Sequence, residues 1–476
     1  MKHTPISFSS SYSHLPTLFY EKVSPRVPSS PSLIHWNQPL ADELGMDTAS
    51  MAPDDLVAYF SGQRLPPGSD PLAMVYAGHQ FGHFVPQLGD GRAILLGECV
   101  TAKNKRYDIQ LKGCGQTRFS RAGDGLAPLG AVLREYLVSE GMYHLGVPTT
   151  RALAAVTTGD TVYREQPQPG GVITRVAASH IRIGTFEYFM ARQDIPNLKT
   201  LLDYAIQRHD PDLLSEPEAP LLFFRRVGQR LMSLVAQWMG LGFIHGVMNT
   251  DNMVVSGETI DFGPCAFMDT FRFDKVFSSI DRYGRYAYDQ QSDIALWNLS
   301  RLGICLYPFF DSKTSPPETL LEEELDYFRS YYDRAWCQVM GQKLGILSPS
   351  SADRSLIQDV LGYMASKHED FTCFFHRLPG RLDHPDPIFN AVKTRLLSQS
   401  HSLSEATALM TRVNPVRIPR NHQIEAVIQQ AITGNFDLFS RMLSALQSPF
   451  IDDAVFSAFD TPPTKDEEVT QTFCGT

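Results

Sequence analysis

The sequence predicts an α+β protein with a β-rich N-terminal part and a mainly helical C-terminal part. Two observations carry this expectation. Residues 88–113 follow strand patterns, and from about residue 293 to 445 the apolar residues recur at helical spacing. With 476 residues, 43% hydrophobic and 20% charged, the chain can bury a large core shared among two or more subdomains.

Taken in order, residues 65–71 (Leu-Pro-Pro-Gly-Ser-Asp-Pro) form a loop. Residues 93–98 are a strand. After a polar turn, Asp108-Ile109-Gln110-Leu111-Lys112 alternates as a half-buried strand does. Leu129, Val132, Leu133, Tyr136 and Leu137 make one face of a helix that Gly146 and Pro148 stop. Residues 152–175 read as further strands. Phe224, Val227, Leu231, Leu234, Val235 and Trp238 mark a buried helical face, ended by Gly240 and Gly242. Met253-Val254-Val255 and Thr259-Ile260 read as the two arms of a short hairpin. Residues 461–476, rich in Pro and acids, are expected to be a mobile tail carrying Cys474.

A formal net charge of −10 argues against an extended nucleic-acid surface. No apolar run is long enough to span a bilayer, and residues 1–16 lack an apolar signal core. The seven cysteines include no C-x-x-C, so no zinc cluster or disulfide framework is evident, and a reducing cytoplasm fits best.

The chemistry concentrates around His245-Gly246-Val247-Met248-Asn249-Thr250-Asp251-Asn252 and Asp261-Phe262-Gly263. A protein-kinase catalytic loop reads H-R-D-x-x-x-x-N and is followed by D-F-G. His245 and Asn252 keep their places, but Val247 stands where the catalytic Asp belongs. Asn252 and Asp261 offer the oxygen ligands that magnesium takes alongside phosphates. Asp251 is the carboxylate left to act as base. Gly89-Asp90-Gly91-Arg92 suits either a phosphate-binding turn or a plain hairpin turn. Lys112, near the end of a strand, has Glu135 on the next helix as an ion-pair partner, with Glu140 as a rival. Arg175 and Arg182 share one face if their stretch is helical and then clamp a terminal phosphate; two surface arginines are the competing reading. His79 and His83 have zinc-type spacing but no H-E-x-x-H, which favours a structural role. No Walker A loop and no G-x-S-x-G elbow occurs.

Together these motifs resemble the selenoprotein O family of kinase-like proteins. The resemblance rests on Tyr76-Ala77-Gly78-His79-Gln80-Phe81-Gly82, Gln87-Leu88-Gly89-Asp90-Gly91-Arg92, Leu111-Lys112-Gly113, the residues 245–252 and 261–264, Arg412-Val413-Asn414-Pro415 and Arg420-Asn421. It implies a protein-kinase-like bilobal fold. Residues 1–70 would be an N-terminal extension packing on the lobes, 71–185 the N-lobe with the nucleotide-binding loop, 186–460 the helical C-lobe, and 461–476 the tail. It also implies transfer of AMP from ATP, bound in flipped orientation, to Ser, Thr or Tyr hydroxyls of proteins, redox proteins among them, with release of pyrophosphate. Gly89, Gly91, Arg92, Lys112, Asp124, Gly125, Arg175, Arg182 and Asp261 would contact the nucleotide. Asn252 and Asp261 would hold Mg2+ or Mn2+, Asp251 would accept the proton, and Glu135 would support Lys112. Relatives often carry a cysteine some way after D-F-G. This chain has Phe277-Ser278-Ser279-Ile280-Asp281 there, so a family-type disulfide to Cys474 would need Cys265 instead. Two other functions remain open at this point: an ordinary phosphotransferase using Asp251, and a non-catalytic nucleotide-binding scaffold with Val247 as its hallmark.

Overall fold

A computed structural model describes residues 6, 8–311 and 315–473. The N-terminal part is built on antiparallel strands: β1 (Tyr20–Lys22), β2 (Ser32–Trp36), β3 (Leu72–Gln80), β4 (His83–Gly89), β5 (Ala93–Val100), β6 (Arg106–Lys112), β7 (Ala127–Pro128), β8 (Arg151–Tyr163) and β9 (Pro167–Ala177). Among the described residues they form one sheet in the order β1-β3-β5-β6-β9-β8-β2, with β4 paired to β3 and β7 to β9. Helices α1 (Gln38–Glu43) and α2 (Pro53–Phe60) precede β3, and α3 (Leu129–His144) lies between β7 and β8. Residues ahead of 71 thus supply a strand to each edge of the sheet.

Side chains alternate between two buried faces. Ile94, Leu96, Ile109 and Leu111 join Phe60 in one apolar cluster. Leu95 and Ile173 join Leu133 of α3 in the main core. The strand 108–112 is therefore not half-buried: Gln110 and Lys112 are buried too, because their face looks onto an ion cluster beside α3 rather than onto water.

Beyond β9 the chain becomes helical: α4 (Ile183–Met190), α5 (Ile195–His209), α6 (Ala219–Leu241), α7 (Gln291–Leu306), α8 (Pro317–Lys343), α9 (Arg354–Lys367), α10 (Phe371–Arg377), α11 (Pro387–Leu397), α12 (Leu403–Val413), α13 (Asn421–Ile432) and α14 (Asp437–Leu446). Gly242 ends α6 at φ +66°, a left-handed position that suits glycine. Two short strands, β10 (Phe243–Ile244) and β11 (Ala266–Phe267), pair across the loop that carries the kinase-like motif. No described helix is long and apolar enough to cross a membrane.

Three expectations are corrected. The arms at 253–255 and 259–260 do not pair with each other; Val254 bridges to Arg182 and Thr259 to Thr149, so the segment is stitched to its surroundings from both sides. Arg175 and Arg182 share no helix face, since Arg175 is in β9 and Arg182 is the N-cap of α4. The tail does not hang free as far as Phe473. Thr472 bridges Ser278 in parallel, its N–H donates to Phe277 O (2.8 Å), and its hydroxyl donates to Pro264 O (2.5 Å). Cys474 lies outside the described residues.

The C-terminal motif residues hold the helical part together. Asn414 Nδ2 donates to Lys343 O (2.9 Å), and Arg420, fully buried, pairs with Asp269 and Asp370. Removing one partner of a buried ion pair leaves an uncompensated charge and costs about 3–5 kcal/mol. Arg420→Ala is accordingly expected to lower the unfolding free energy measured in urea by that order, without changing residues that line the cavity described next.

Candidate active site

The kinase-like loop is locked from behind. His245 Nε2 lies 2.9 Å from Ile260 O, and Gln291 Oε1 accepts from the His245 N–H at 3.0 Å. This fixes the loop against the residue that precedes Asp261. Val247 is buried, and its carbonyl accepts from Asn252 Nδ2 at 2.9 Å. That bond occupies the donor end of the Asn252 amide and leaves its oxygen end as an acceptor.

Asp261 sits at the centre of a cation cluster, at φ +64°, a left-handed conformation uncommon for a residue other than glycine. Lys112 Nζ donates to its Oδ1 (3.0 Å), Arg175 Nη2 donates to the same oxygen, and Arg182 Nη1 donates to Oδ2 (2.6 Å). Glu135 closes the network, accepting from Lys112 (2.8 Å) and from Arg175 Nε (2.5 Å). Burial alone would raise the pKa of Asp261. Arg175, Lys112 and Arg182 outweigh it and hold the carboxyl well below the ordinary value. Glu135 is likewise lowered against its burial by Arg175 and Lys112. Glu140, the rival partner, is taken elsewhere, bound bidentately by Arg151 (2.9 and 2.8 Å).

Asp251 presents the opposite electrostatics. It is only 6% exposed, and burial pushes its carboxyl up to about 6, against opposing effects from Gln80 and Arg182. Oδ2 accepts from Gln80 Nε2 (3.1 Å), whereas Oδ1 is buried and has no hydrogen-bond partner among the described residues. A carboxylate kept ionised but poorly solvated near neutral pH is suited to accepting a proton. The two acids thus differ by environment: Asp261 is held as a fixed negative charge, and Asp251 is poised to change its protonation.

A cavity of about 570 Å³ gathers the predicted residues: Gly89, Gly91, Arg92, Lys112, Asp124, Gly125, Arg175, Arg182, Asp251, Asn252 and Asp261 all line it. Glu135 stands behind Lys112, in the wall of a neighbouring cavity. The glycines have a different reason from the one the sequence suggests. A Cβ on Gly89 would strike the Phe119 ring, and one on Gly91 would come within 2.8 Å of Phe119 O. Gly125, at φ +69°, likewise leaves no room for a Cβ beside the Gly115 carbonyl. These glycines let the loop 113–126 close over the 89–92 turn. Asp124 is tied bidentately to Arg164 (2.9 Å each), which holds the rim of that loop. Sequence reasoning missed Phe119, Arg164 and the partners of Asp251. Gln80 was visible only as part of a motif, with no chemistry to single it out. His79 and His83 sit on opposite sides of the β3–β4 turn, and His79 binds Glu187 (2.5 Å).

Among the described residues no group of three or more His, Cys, Asp or Glu is placed to hold a metal ion. A hard divalent cation bound jointly with phosphates needs fewer protein groups. The oxygens of Asn252 and Asp261, beside the unpartnered Asp251 Oδ1, are the right donor type, so the residues present fit such an ion.

A family model described as Protein adenylyltransferase SelO matches residues 2–447. The chain belongs to this family. It is 49% identical over 486 residues to a protein nucleotidyltransferase YdiU of Agrobacterium fabrum, covering 99% of this chain and 100% of that relative. A protein of the same name from Rhizobium meliloti is 48% identical over 490 residues, with 99% and 100% coverage. One from Jannaschia is 49% identical over 482 residues, with 98% and 99% coverage. The SelO family is a family of protein adenylyltransferases, as the motif resemblance implies.

For this SelO-family chain the loop closure is directly testable. Gly125→Ala forces a side chain into a left-handed position against Gly115. It is expected to destabilise the protein by more than about 1 kcal/mol and to weaken ATP binding, read by urea unfolding and calorimetric titration.

Proposed function

We propose that this chain transfers AMP from ATP to Ser, Thr or Tyr hydroxyls of protein substrates, with the nucleotide bound so that its terminal phosphates face Lys112, Arg175 and Arg182. The observation that carries this reading is the separation of charge within one cavity. Three cations converge at Asp261, while Asp251 carries a buried carboxylate oxygen that has no hydrogen-bond partner among the described residues. Cations at the inner end favour phosphates there. An acceptor hydroxyl must then meet the nucleotide from the Asp251 side.

Asp251 Oδ1 takes the proton from the acceptor hydroxyl. The hydroxyl oxygen attacks the α-phosphorus, the bond from that phosphorus to the bridging oxygen of the β-phosphate breaks, and pyrophosphate leaves. Lys112, Arg175 and Arg182 offset the charge that builds on the leaving group, and their fixed positions mean that little reorganisation is needed. Val247 cannot take a proton, which leaves this role to Asp251. Gly89, Gly91, Arg92, Asp124 and Gly125 wall the nucleotide. Asn252 and Asp261 are the residues that would hold Mg2+ or Mn2+; such an ion, when bound, screens the phosphate charges.

The same arrangement supports reading the strand-rich and helical parts as lobes of a protein-kinase-like fold. In that division 71–185 and 186–460 are the lobes, with 1–70 as an extension and 461–476 as a tail. A cytoplasmic setting, with redox proteins among the targets, is the accompanying proposal.

Incubation with ATP labelled on the α- or the γ-phosphate tests this. Label is expected on protein from α-labelled ATP alone; label from γ-labelled ATP alone would mean a kinase reaction, and no label at all a scaffold. Chelation with EDTA is expected to abolish transfer. Asp251→Asn should lower kcat by about 100-fold or more while ATP still binds. Because the Asp251 carboxyl is raised to about 6, it is ionised above that pH and its capacity as base is lost as pH falls through it. The rate should decline at the acid end of a pH profile, at a lower pH if a cation is bound beside it.

A further inference from the structure

The β3–β4 hairpin reaches across to the loop that carries Asp251, and its tip meets that loop residue by residue. The His79 N–H donates to Thr250 Oγ1 (2.7 Å), Gln80 Nε2 donates to Asp251 Oδ2 (3.1 Å), and the Phe81 N–H donates to Asn249 Oδ1 (3.0 Å). Three consecutive residues of one segment thus hold three consecutive residues of the other. Two of these contacts have further support. Thr250 Oγ1 donates to Glu187 Oε2, and Glu187 Oε1 binds the His79 ring (2.5 Å). Tyr286 OH donates to Asn249 Oδ1 (2.6 Å).

The hairpin tip is built for this reach. Gln80 pairs with His83 across a two-residue turn, in which Phe81 has φ +50° and Gly82 φ +84°. A non-glycine residue in that region is strained unless its surroundings fix it. The bond from the Phe81 N–H to Asn249 supplies a fixed partner at that residue.

The geometry at Asp251 shows what the clamp does. Gln80 takes Oδ2 and leaves Oδ1 as the oxygen without a partner. Gly78, on the same strand, lets the backbone pack directly against that carboxylate, since a Cβ there would lie 2.6 Å from Oδ1. We infer that Gln80 is a positioning residue that orients the Asp251 carboxylate, holding Oδ2 so that Oδ1 is the oxygen left to take the proton of the acceptor hydroxyl. This rests on the reading of Asp251 as the base. Gln80 hydrogen-bonds Asp251 and, among the described residues, makes no hydrogen bond to Lys112, Arg175 or Arg182, where the phosphates are proposed to lie.

The test is a mutant cycle on the full chain, measuring AMP transfer from α-labelled ATP together with the KM for ATP. Gln80→Leu keeps the bulk and removes the donor. It is expected to lower kcat by about 100-fold, the scale of loss when a reacting group is displaced by about an ångström, with KM for ATP within about twofold of wild type by the same reasoning. Gly78→Ala, which presses a methyl group against Oδ1 and displaces the carboxylate, is expected to do the same. In an Asp251→Asn background, Gln80→Leu should cost nothing further. An equal further loss in that background, or a loss confined to ATP KM, would overturn the positioning role. Wild-type transfer by Asp251→Asn alone would overturn the assignment of the base, and this inference with it. Tm measured on each variant separates misfolding from either result.

Discussion

The convergence of Lys112, Arg175 and Arg182 on Asp261 is the constraint from which the rest of the site follows. These four residues come from β6, β9, the N-cap of α4 and the loop after α6, so the cluster joins the sheet to the helical part. The two arginines are deeply buried, Arg175 1% and Arg182 3% exposed, and the Asp261 side chain is partly buried. Buried ions are tolerated only when paired and hydrogen-bonded, and removing one partner strands the others. The backbone of Asp261 is held in a left-handed conformation at this junction, the kind of local strain that persists where surrounding structure over-determines it.

In the proposed function that junction also sets the direction of the chemistry. A cation-rich inner wall is a place for phosphates, and Asp261 provides a counter-charge to its cations in their absence. Arg182 extends the order outward, because the guanidinium that pairs with Asp261 also donates to the backbone carbonyl of Asp251. Asp251 and the charge cluster are thereby fixed to one side chain. The hairpin tip grips the same loop from the other side, which leaves Asp251 few ways to move relative to the cavity wall.

Much of this was legible in the sequence. The Lys112–Glu135 pairing followed from a strand lysine and a well-formed helical stripe. The loss of the usual base at Val247, with Asp251 nearby, was visible from spacing alone. What escaped reading depends on contacts far apart in the chain. Gly89 and Gly91 suggested phosphate approach, yet they are filled by Phe119 and its backbone. Arg175 and Arg182 looked like a helical pair because their spacing carries no sign of the strand end that separates them. Strand β4 lacks apolar alternation because most of it is exposed, so the hairpin that holds Asp251 left no periodic signal. The docking of Thr472 beside Pro264 was hidden in a polar, acidic tail that composition alone reads as unattached.

The central claim is the direction in which the nucleotide lies. A structure of the chain with a non-hydrolysable ATP analogue and a divalent cation tests it most directly. The γ-phosphate is expected among Lys112, Arg175 and Arg182, with the α-phosphorus nearest Asp251. A γ-phosphorus nearest Asp251, with the adenine end toward the arginines, would contradict the account.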